Sequence, residues 1–183
     1  MPPDPPRTPK AARTRARLHA AAWQLFIERG YHAVSMRDIS AAAGLTKTGA
    51  YGHFRSKGQL LVEVIRWKLA ERDAGIDFSV VDDLVSGVDL MFDDHYREIR
   101  LLEVDAAAAA RHDPDVAAGL TLLYTERVGR MRDALSAMRD PETAAWIMSA
   151  LMGGVGMKDS AALPRPDPDR LAAALVAAFA ALA

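Results

Sequence analysis

Three Asp-Pro pairs constrain the fold more than any other feature of this sequence. Asp113-Pro114, Asp140-Pro141 and Asp167-Pro168 each precede a stretch with helical spacing of apolar residues. Asp is favoured at a helix N-cap because its carboxylate accepts a free backbone N–H, and Pro is favoured at the first helical position. Period-two alternation and Asn-Gly or Asp-Gly turns are absent, so the sequence predicts an all-α protein of eight or nine helices without a sheet.

Apolar stripes at helical spacing run through the second half of the chain. Their spacing indicates amphipathic helices rather than strands. The stripes are Val81, Leu84, Val85, Val88, Met91 and Phe92; Val116, Leu120, Leu123, Met131, Leu135 and Met138; and Leu171, Leu175, Phe179 and Leu182.

The composition excludes several classes of protein. The 183 residues include no Cys, so disulfides, thiol catalysis and zinc-thiolate sites are excluded. No apolar run reaches the roughly 18 residues of a membrane span, and the Pro-rich N-terminus has no apolar signal segment. We therefore expect a cytoplasmic protein in which residues 1–12 form a disordered basic leader.

Charge is distributed unevenly along the chain. Residues 1–60 contain ten Lys and Arg against three Asp and Glu, whereas the remainder contains thirteen against twenty-one. A basic part joined to an acidic body is typical of a polyanion-binding module attached to a second domain. Taken alone, the charge is equally compatible with an uneven surface that binds no nucleic acid.

The segment from residue 13 to residue 61 carries start and stop signals for closely spaced helices. Capping boxes and Gly residues set these boundaries. The predicted elements are a helix from Arg13 to Arg29 that stops at Gly30, a second helix that starts at the Ser35/Asp38 capping box and ends before Gly44, a third from Lys47 to Phe54 capped by Thr46, and a fourth that starts at the Ser56/Gln59 capping box.

The second and third of these helices, with the Gly-containing turn between them, form a helix-turn-helix unit. Ala50 and Phe54 lie four residues apart and are expected to face inward. An exposed helical Gly costs about 1 kcal/mol relative to Ala, and close approach to a ligand such as a DNA groove would offset that cost. The residues left on the outward face are Lys47, Thr48, Gly49 and Gly52.

Lys57 lies in the first turn of the fourth helix, where the helix dipole disfavours a cation. The placement is explained if the helix N-terminus and Lys57 together hold an anion such as a DNA phosphate. A Lys57 side chain that simply points to solvent explains it equally well.

Residues 17–61 resemble the DNA-binding domain of the tetracycline-repressor (TetR) family. The resemblance has no gaps over some forty-five residues. It is carried by Ala21-Ala22, Phe26, Gly30-Tyr31, Ser35-Met36-Arg37-Asp38-Ile39, Ala43-Gly44-Leu45-Thr46-Lys47, Tyr51-Gly52-His53-Phe54 and Ser56-Lys57-Gly58-Gln59-Leu60-Leu61.

The resemblance implies a role for each matching position. Lys47 and Thr48 would reach base edges in the major groove, and Arg37 would contact either bases or phosphates. The basic arm of Arg7, Lys10, Arg13 and Arg15 either adds backbone contacts or is a solvated tail, and His53 is as compatible with helix packing. The DNA-binding set is Ser35, Arg37, Thr46, Lys47, Thr48, Gly49, Tyr51, His53 and Lys57.

The chain departs from the family pattern at Thr48-Gly49-Ala50. Family members more often carry a small residue, then Thr or Ala, then Leu at these positions. Ala50 underfills the core position, and Gly49 removes a side chain that would read a base. The departure puts the bases that are read in doubt, but not the fold.

The resemblance divides the chain into a leader at 1–12, a helix-turn-helix domain at 13–58, and a helical ligand-binding and dimerisation domain at 59–183. It implies a homodimer joined by a four-helix bundle of the last two helices of each subunit. The mixture of bulky and small residues in those helices suits tight pairing, although Ala-rich helices also occur inside monomer cores. The expected interface residues are Ile147, Leu151, Val155, Leu171, Leu175 and Phe179.

The family commonly encloses a small-molecule pocket between its fourth and seventh helices. Most candidates in this chain are also compatible with plain core packing, but a buried Asp105 or Arg127 would need a partner or a ligand. The predicted ligand-binding set is Trp67, Met91, His95, Leu102, Asp105, Leu123, Tyr124, Arg127 and Trp146, with Phe78, His112 and Met131 as further candidates.

The function predicted from these features is a sequence-specific DNA-binding transcriptional regulator, a repressor released from a palindromic operator in double-stranded DNA by a moderately apolar small molecule. The alternative is a helical DNA-binding or adaptor protein without an effector. The common hydrolase, metalloprotease and nucleotide-binding motifs are absent, so no catalytic residue, metal or cofactor is expected.

Overall fold

A computed structural model describes residues 8–74, 93–164 and 167–180 of the chain. Within those ranges it consists of eight α-helices and one 3₁₀ turn, with no strand, which confirms the all-α prediction. The stripe from Val81 to Phe92 and two residues of the Pro-rich linker lie outside the described ranges. The helices are α1 Pro9–Ala33, α2 Met36–Ala42, α3 Lys47–Tyr51, α4 Lys57–Arg72, α5 Arg97–Ala109, α6 Pro114–Ala134, α7 Pro141–Ser160 and α8 Pro168–Ala180, and the turn is Asp94–Tyr96.

All three Asp-Pro pairs start helices as predicted. The Asp113 carboxylate accepts hydrogen bonds from the backbone N–H groups of Asp115 and Val116 at the start of α6. Asp140 accepts from Thr143 N at the start of α7, and Asp167 accepts from the first turn of α8. These caps satisfy backbone donors that have no partner inside the helix.

Helix α1 begins at Pro9 and not at Arg13, so the predicted leader extended too far. Thr8 accepts a hydrogen bond from Ala11 N, and Pro9 fits the first helical position because it needs no N–H partner there. The predicted stop at Gly30 is confirmed as a kink inside α1, where φ is +74°. A Gly adopts this left-handed conformation without the steric cost that other residues meet.

One continuous core joins the N-terminal helices to the body. Its fully buried residues include Phe26 in α1, Leu60 and Leu61 in α4, and Val116 in α6. Helix α4 packs on α1 on one side and on α6 on the other. The predicted domain boundary at residue 58 therefore falls in the first turn of a helix that belongs to both parts.

The far half of the body is packed differently. Leu135, Ala144 and Ala145 form a small separate cluster where α6 ends and α7 begins. A second small cluster joins Val155 of α7 to α8, with partly buried neighbours Met152, Leu171 and Leu175. In the described part of the chain, no helix is long and apolar enough to cross a membrane.

Candidate functional site

Helices α2 and α3 are fixed by local hydrogen bonds that the sequence predicted. The Ser35 hydroxyl accepts from Asp38 N, and the Asp38 carboxylate accepts from Ser35 N at 2.9 Å, which completes the capping box. The Ser35 hydroxyl also donates a 2.6 Å hydrogen bond to the Asp38 carboxylate, and this bond together with that from Ser35 N lowers the pKa of Asp38 below its usual range. Gly44 ends the turn with φ of +65°, and Thr46 caps α3 by accepting from Gly49 N.

Helix α3 presents one buried and one exposed face. Ala50 and Phe54 have no exposed surface, as predicted, and they anchor the helix and the turn after it in the core. Phe54 lies just beyond α3, because the helix ends at Tyr51 rather than continuing to Phe54 as predicted. The exposed residues of the first turn are Lys47, Thr48 and Gly49.

Polar side chains surround this exposed turn. Tyr51 is 44% exposed, and the Lys47 ammonium lies 5.8 Å from the centre of its ring. His53 is partly buried just after α3, whereas Ser35 and Arg37 are exposed at the start of α2. A basic group with an aromatic and hydroxyls around it matches the chemistry of phosphate and base-edge contacts.

Lys57 is held against the end of α1. Its ammonium donates hydrogen bonds of 2.8 Å to the carbonyl oxygens of Tyr31 and Val34, and lies 4.0 Å from the centre of the Tyr31 ring. Burial lowers the pKa of Lys57, and the negative charge of Asp113 partly opposes this effect. The side chain therefore does not simply point to solvent, and two of its three N–H groups already have protein acceptors.

Two corrections concern polar residues around α4. The Ser56/Gln59 capping box predicts that the Gln59 side chain accepts from Ser56 N. Gln59 Oε1 instead accepts from the preceding residue's backbone, Arg55 N. Arg15 is not part of a free basic arm, because its guanidinium pairs with the carboxylate of Glu63 and lies 4.7 Å from the centre of the Phe54 ring. Lys10 and Arg13 are exposed, and Arg7 lies outside the described residues.

A cavity of about 960 Å³ lies between α5, α6 and α7. Three residues of the predicted ligand-binding set line it, namely Tyr124, Arg127 and Trp146. Its other walls are mostly apolar or small, and they include Val104, Ala107, Ala108, Val128, Gly129, Ala150, Met152, Gly153, Gly154 and Met157.

A buried charged pair lies in the wall of this mostly apolar cavity. Arg127 is buried and donates a 2.7 Å hydrogen bond to Glu103 Oε1. The Tyr124 hydroxyl lies 3.5 Å from the same carboxylate oxygen, and burial together with that negative charge raises the pKa of Tyr124. The other guanidinium nitrogen of Arg127 has a weak acceptor, the Met152 sulfur at 3.7 Å.

The structure places the remaining predicted ligand-binding residues elsewhere. Leu102 and Leu123 belong to the main core, where apolar packing explains them fully. Trp67 stacks on His19 at the contact between α1 and α4. Asp105 lies 3.4 Å from Tyr31 N, so its partner is backbone and not a ligand.

Two further members of that predicted set cannot be compared with the cavity. Met91 falls outside the described residues, and the side chain of His95 is likewise outside them.

Three of the predicted dimer residues lie four positions apart along α7, and Leu171 and Leu175 of α8 pack against the last of these, Val155. Leu151 is 38% exposed and Ile147 is partly buried. Val155 is buried inside the chain by Leu171 and Leu175 of α8, so it packs within the subunit. The side chain of Phe179 lies outside the described residues.

Sequence reasoning missed Glu103, Met152 and Met157 as cavity residues. Glu103 meets Arg127 across 24 positions of chain, and helical periodicity carries no information about pairing at that separation. It also missed the buried ion pair between Arg100 and Asp159, which joins α5 to α7 at 2.6 Å. Charged residues in amphipathic helices are mostly exposed, and the sequence offers no signal that marks these two as buried.

Comparisons with known proteins agree with this geometry. Residues 18–64 match the profile described as bacterial regulatory proteins, tetR family. The transcriptional regulator UidR of Escherichia coli K12 is 32% identical over 136 residues, which cover 68% of each protein. The transcriptional activator FasR of Mycolicibacterium smegmatis is 39% identical over 82 residues, covering 45% of this chain and 32% of FasR.

The helical arrangement as a whole also has a counterpart among solved structures. A regulator from Rhodococcus sp., described as a putative TetR-family protein, superimposes with a TM-score of 0.76. The superposition covers 93% of this chain and 98% of that one at 18% identity. At this identity the match establishes the fold alone.

Proposed function

Because the chain belongs to the TetR family of bacterial transcriptional regulators, we propose that it represses transcription as a homodimer on a palindromic operator and is released by a small molecule. The observation that carries the proposal is the exposed first turn of α3, in which Lys47, Thr48 and Gly49 are exposed while Ala50 is buried. Helix α3 is thereby anchored from behind and free to enter a major groove.

Within this proposal the candidate DNA-binding residues divide into two roles. Lys47 and Thr48 contact base edges, since both stand on the face of α3 that points away from the core. Ser35, Tyr51, His53 and Lys57 contact phosphates and set the docking angle, and Arg37 serves either role. Thr46 accepts from Gly49 N in the cap of α3, which leaves its hydroxyl hydrogen to donate to a phosphate oxygen, and Gly49 lets the backbone approach the DNA closely.

Lys57 contributes to phosphate binding in a restricted way. Its two bonds to Tyr31 and Val34 leave one N–H for an oxygen of the DNA backbone. They also fix the ammonium at the N-terminus of α4, where the free backbone N–H groups of the helix favour an anion. The bound phosphate would thus contact both a fixed charge and a helix end.

The cavity between α5, α6 and α7 is the site we propose for the effector. Its volume of about 960 Å³ falls in the range of small-molecule sites. Trp146 and Met157 at its edge supply apolar area, and Arg127 and Tyr124 supply hydrogen bonds that orient a ligand. This unfilled volume argues against the alternative of a DNA-binding protein without an effector, which would have a filled body.

The proposed homodimer uses α7 and α8. Among the described side chains of α8, Leu171 and Leu175 pack on Met152 and Val155 of the same chain. The exposed Leu151 lies on the same side of α7 as Ile147 and extends this surface. A second copy that covers α8 and Leu151 would bury the apolar area that remains.

The sign of regulation is proposed as repression, with activation as the alternative. A protein bound at an operator blocks or recruits polymerase according to the promoter, and FasR carries the description of an activator. Transcription of a reporter from the recovered operator, with and without the protein, separates the two outcomes.

The test is selection of bound sequences from a random double-stranded DNA pool at a fixed salt concentration. The proposal expects an inverted repeat whose half-sites lie one or more helical turns apart. Failure to enrich any sequence, with a folded dimer in hand, would overturn the proposed function.

Three Lys variants assign the roles. Lys47→Ala should relax the preference at particular bases, whereas Lys57→Ala should weaken binding about equally on all sequences. Lys68→Ala is the matched control, because it removes the same charge from α4 at a position paired with Glu71. Identical base preferences for Lys47→Ala and the wild type would refute the assignment of Lys47.

A further inference from the structure

The first turn of α6 meets the helix-turn-helix part at a polar junction, which we define as Tyr31, Lys57, Gly58 and Asp113. We propose that Tyr31 and Asp113 are positioning residues that fix the orientation of α3 relative to α6 and transmit movement of α6 to the DNA-binding face. The proposal rests on the proposed function for its consequence in DNA binding, but the junction itself is tested independently of DNA.

The kink at Gly30 directs Tyr31 toward the body. The left-handed backbone of Gly30 breaks α1, so the residue after it leaves the helical path. The Tyr31 ring is buried against Phe26, and its hydroxyl donates a 2.7 Å hydrogen bond to Asp113 Oδ2. Burial and this bond raise the pKa of Tyr31, so the phenol remains a donor at any physiological pH.

Asp113 uses its two carboxylate oxygens for different elements. Oδ1 accepts from Asp115 N and Val116 N and caps α6, while Oδ2 accepts from Tyr31. A carboxylate is rigid and planar, so a rotation of the first turn of α6 that keeps the cap also moves the acceptor of Tyr31. The same carboxylate thus caps α6 and makes the contact between the two parts of the molecule.

Helix α4 closes the junction from a third side. A Cβ at Gly58 would lie 2.9 Å from both carboxylate oxygens of Asp113 and 2.8 Å from the Val116 side chain, so only Gly fits without a shift. The Asp113 charge therefore lies between the N-termini of α4 and α6, and both helix dipoles favour a negative charge there. Lys57 holds the other side of the junction, because its ammonium donates a 2.8 Å hydrogen bond to the Tyr31 carbonyl oxygen.

Helix α6 connects the junction to the cavity. Its first residues hold Tyr31, and residues 124 to 129 of the same helix contribute Tyr124, Arg127, Val128 and Gly129 to the cavity wall. Eleven residues of helix separate Asp113 from Tyr124, or about 16 Å at the usual rise. A ligand that shifts α6 at the cavity therefore displaces Asp113, because a helix moves as a stiff unit over that distance.

Two variants remove the contact from opposite sides. Tyr31→Phe deletes only the hydroxyl and keeps the ring beside Lys57. Asp113→Ser keeps a capping hydroxyl for α6 but is too short to reach Tyr31. The matched control is Asp140→Ser, which makes the same change at the cap of α7, where the carboxylate accepts from Thr143 N.

The first measurement is a distance between the two parts of the molecule. The chain has no Cys, so Ala42→Cys in α2 and Thr121→Cys in α6, both exposed, can carry paired spin labels without interference. Labelled protein is diluted with unlabelled protein so that distances within one subunit dominate. We expect a narrow distribution for the wild type and for Asp140→Ser, and a broadened or shifted one for Tyr31→Phe and Asp113→Ser.

The second measurement is affinity for a selected operator. Each junction variant should bind the operator at least about fivefold more weakly. The reason is that a helix-turn-helix part with a less fixed orientation populates the docking geometry less often. The double variant should lose no more affinity than the single variant that binds more weakly, since both changes remove the same hydrogen bond. Asp140→Ser should bind as the wild type does, and all variants should keep cooperative thermal unfolding.

The outcomes separate the two proposals. Distances unchanged in both junction variants would overturn the positioning role, whatever the DNA result. Distances that broaden while operator affinity stays at the wild-type value would overturn the link to DNA binding. If the wild type binds no DNA sequence selectively, the proposed function fails, and the distance measurement still decides whether the junction fixes the orientation.

Discussion

The helix-turn-helix part and the far half of the body are built from the same element, the amphipathic helix, yet they are filled to different degrees. In α1 to α4 nearly every inward position belongs to one continuous core, with Phe26, Phe54 and Ile39 buried. In α7 and α8 the described apolar side chains that join clusters form small separate ones, α7 also lines a cavity of about 960 Å³, and Trp146 is 66% exposed.

This difference in packing suits one region to hold the DNA-binding surface in place and the other to respond to a ligand. A filled core transmits strain and holds its surface in one arrangement, which suits a helix that must present Lys47 and Thr48 in a fixed geometry. An unfilled region can change its packing when a ligand enters, because the cavity leaves the side chains that line it room to move. The junction at Asp113 lies in the filled region, at the start of the helix that continues to the cavity.

The largest expected effect is the loss of a filled core position. Phe54→Ala should lower the free energy of unfolding by about 3–5 kcal/mol, since it empties a fully buried site. Trp146→Ala should change it by about 0.5 kcal/mol or less, because most of that side chain is in water. Chemical denaturation measures both, and a similar cost for the two variants would remove the distinction between the regions.

A buried ion pair gives the next largest effect. Asp159→Ala should cost about 3–5 kcal/mol, because it leaves the buried Arg100 guanidinium without its carboxylate. Glu126→Ala, which breaks the half-exposed pair with Arg66, should cost about 1 kcal/mol or less. If Asp159→Ala is as mild as Glu126→Ala, charge does not hold α5 to α7, and the apolar clusters must suffice.

Two glycines of α7 test where the empty space lies. Gly156→Ala should destabilise by about 1–3 kcal/mol, because a Cβ there would lie 3.0 Å from the Arg100 carbonyl oxygen. Gly153→Ala should be neutral or stabilising by up to about 1 kcal/mol, since its Cβ would meet nothing within 4 Å and Ala favours helix. Equal costs would mean that the wall at Gly153 is filled in solution.

The smallest expected effect concerns the pH dependence of helix caps. Hydrogen bonds from Ser35 hold the pKa of Asp38 below its unfolded value of 3.8, so this cap stabilises the fold above that pH and is lost as the pH falls through the lowered pKa. Carboxyl titration by NMR should show Asp38 return toward 3.8 in Ser35→Ala. The pKa of Asp140, which hydrogen bonds with Thr143 lower, is the internal control and should not change in this variant.

The sequence predicted the filled region in detail and the unfilled region only in outline. The caps at Ser35 and Thr46 and the left-handed Gly30 and Gly44 act over three or four residues, so local chemistry specifies them. The Asp-Pro helix starts were predictable for the same reason. The start at Pro9 was missed because the weaker cap Thr8 lies within a run of prolines.

The cavity was only partly predictable because it depends on contacts between distant helices. Tyr124, Arg127 and Trp146 were in the predicted set and line it, but Leu102 and Leu123 share their apolar spacing and pack in the core. Spacing shows that a residue faces inward, but it does not show whether another side chain fills the space opposite. Asp113 was recognised as a cap, and nothing in the sequence indicated that Tyr31 shares it.

The most direct test of the account is hydrogen exchange of the protein alone and saturated with a DNA duplex that contains the selected operator. We predict new protection at residues 35–37 and 46–53 and at the start of α4, with smaller changes spreading through the first turn of α6. Protection that appears along α7 and α8 while α3 exchanges as in the free protein would contradict the account, because the filled region would then not be the DNA-binding surface.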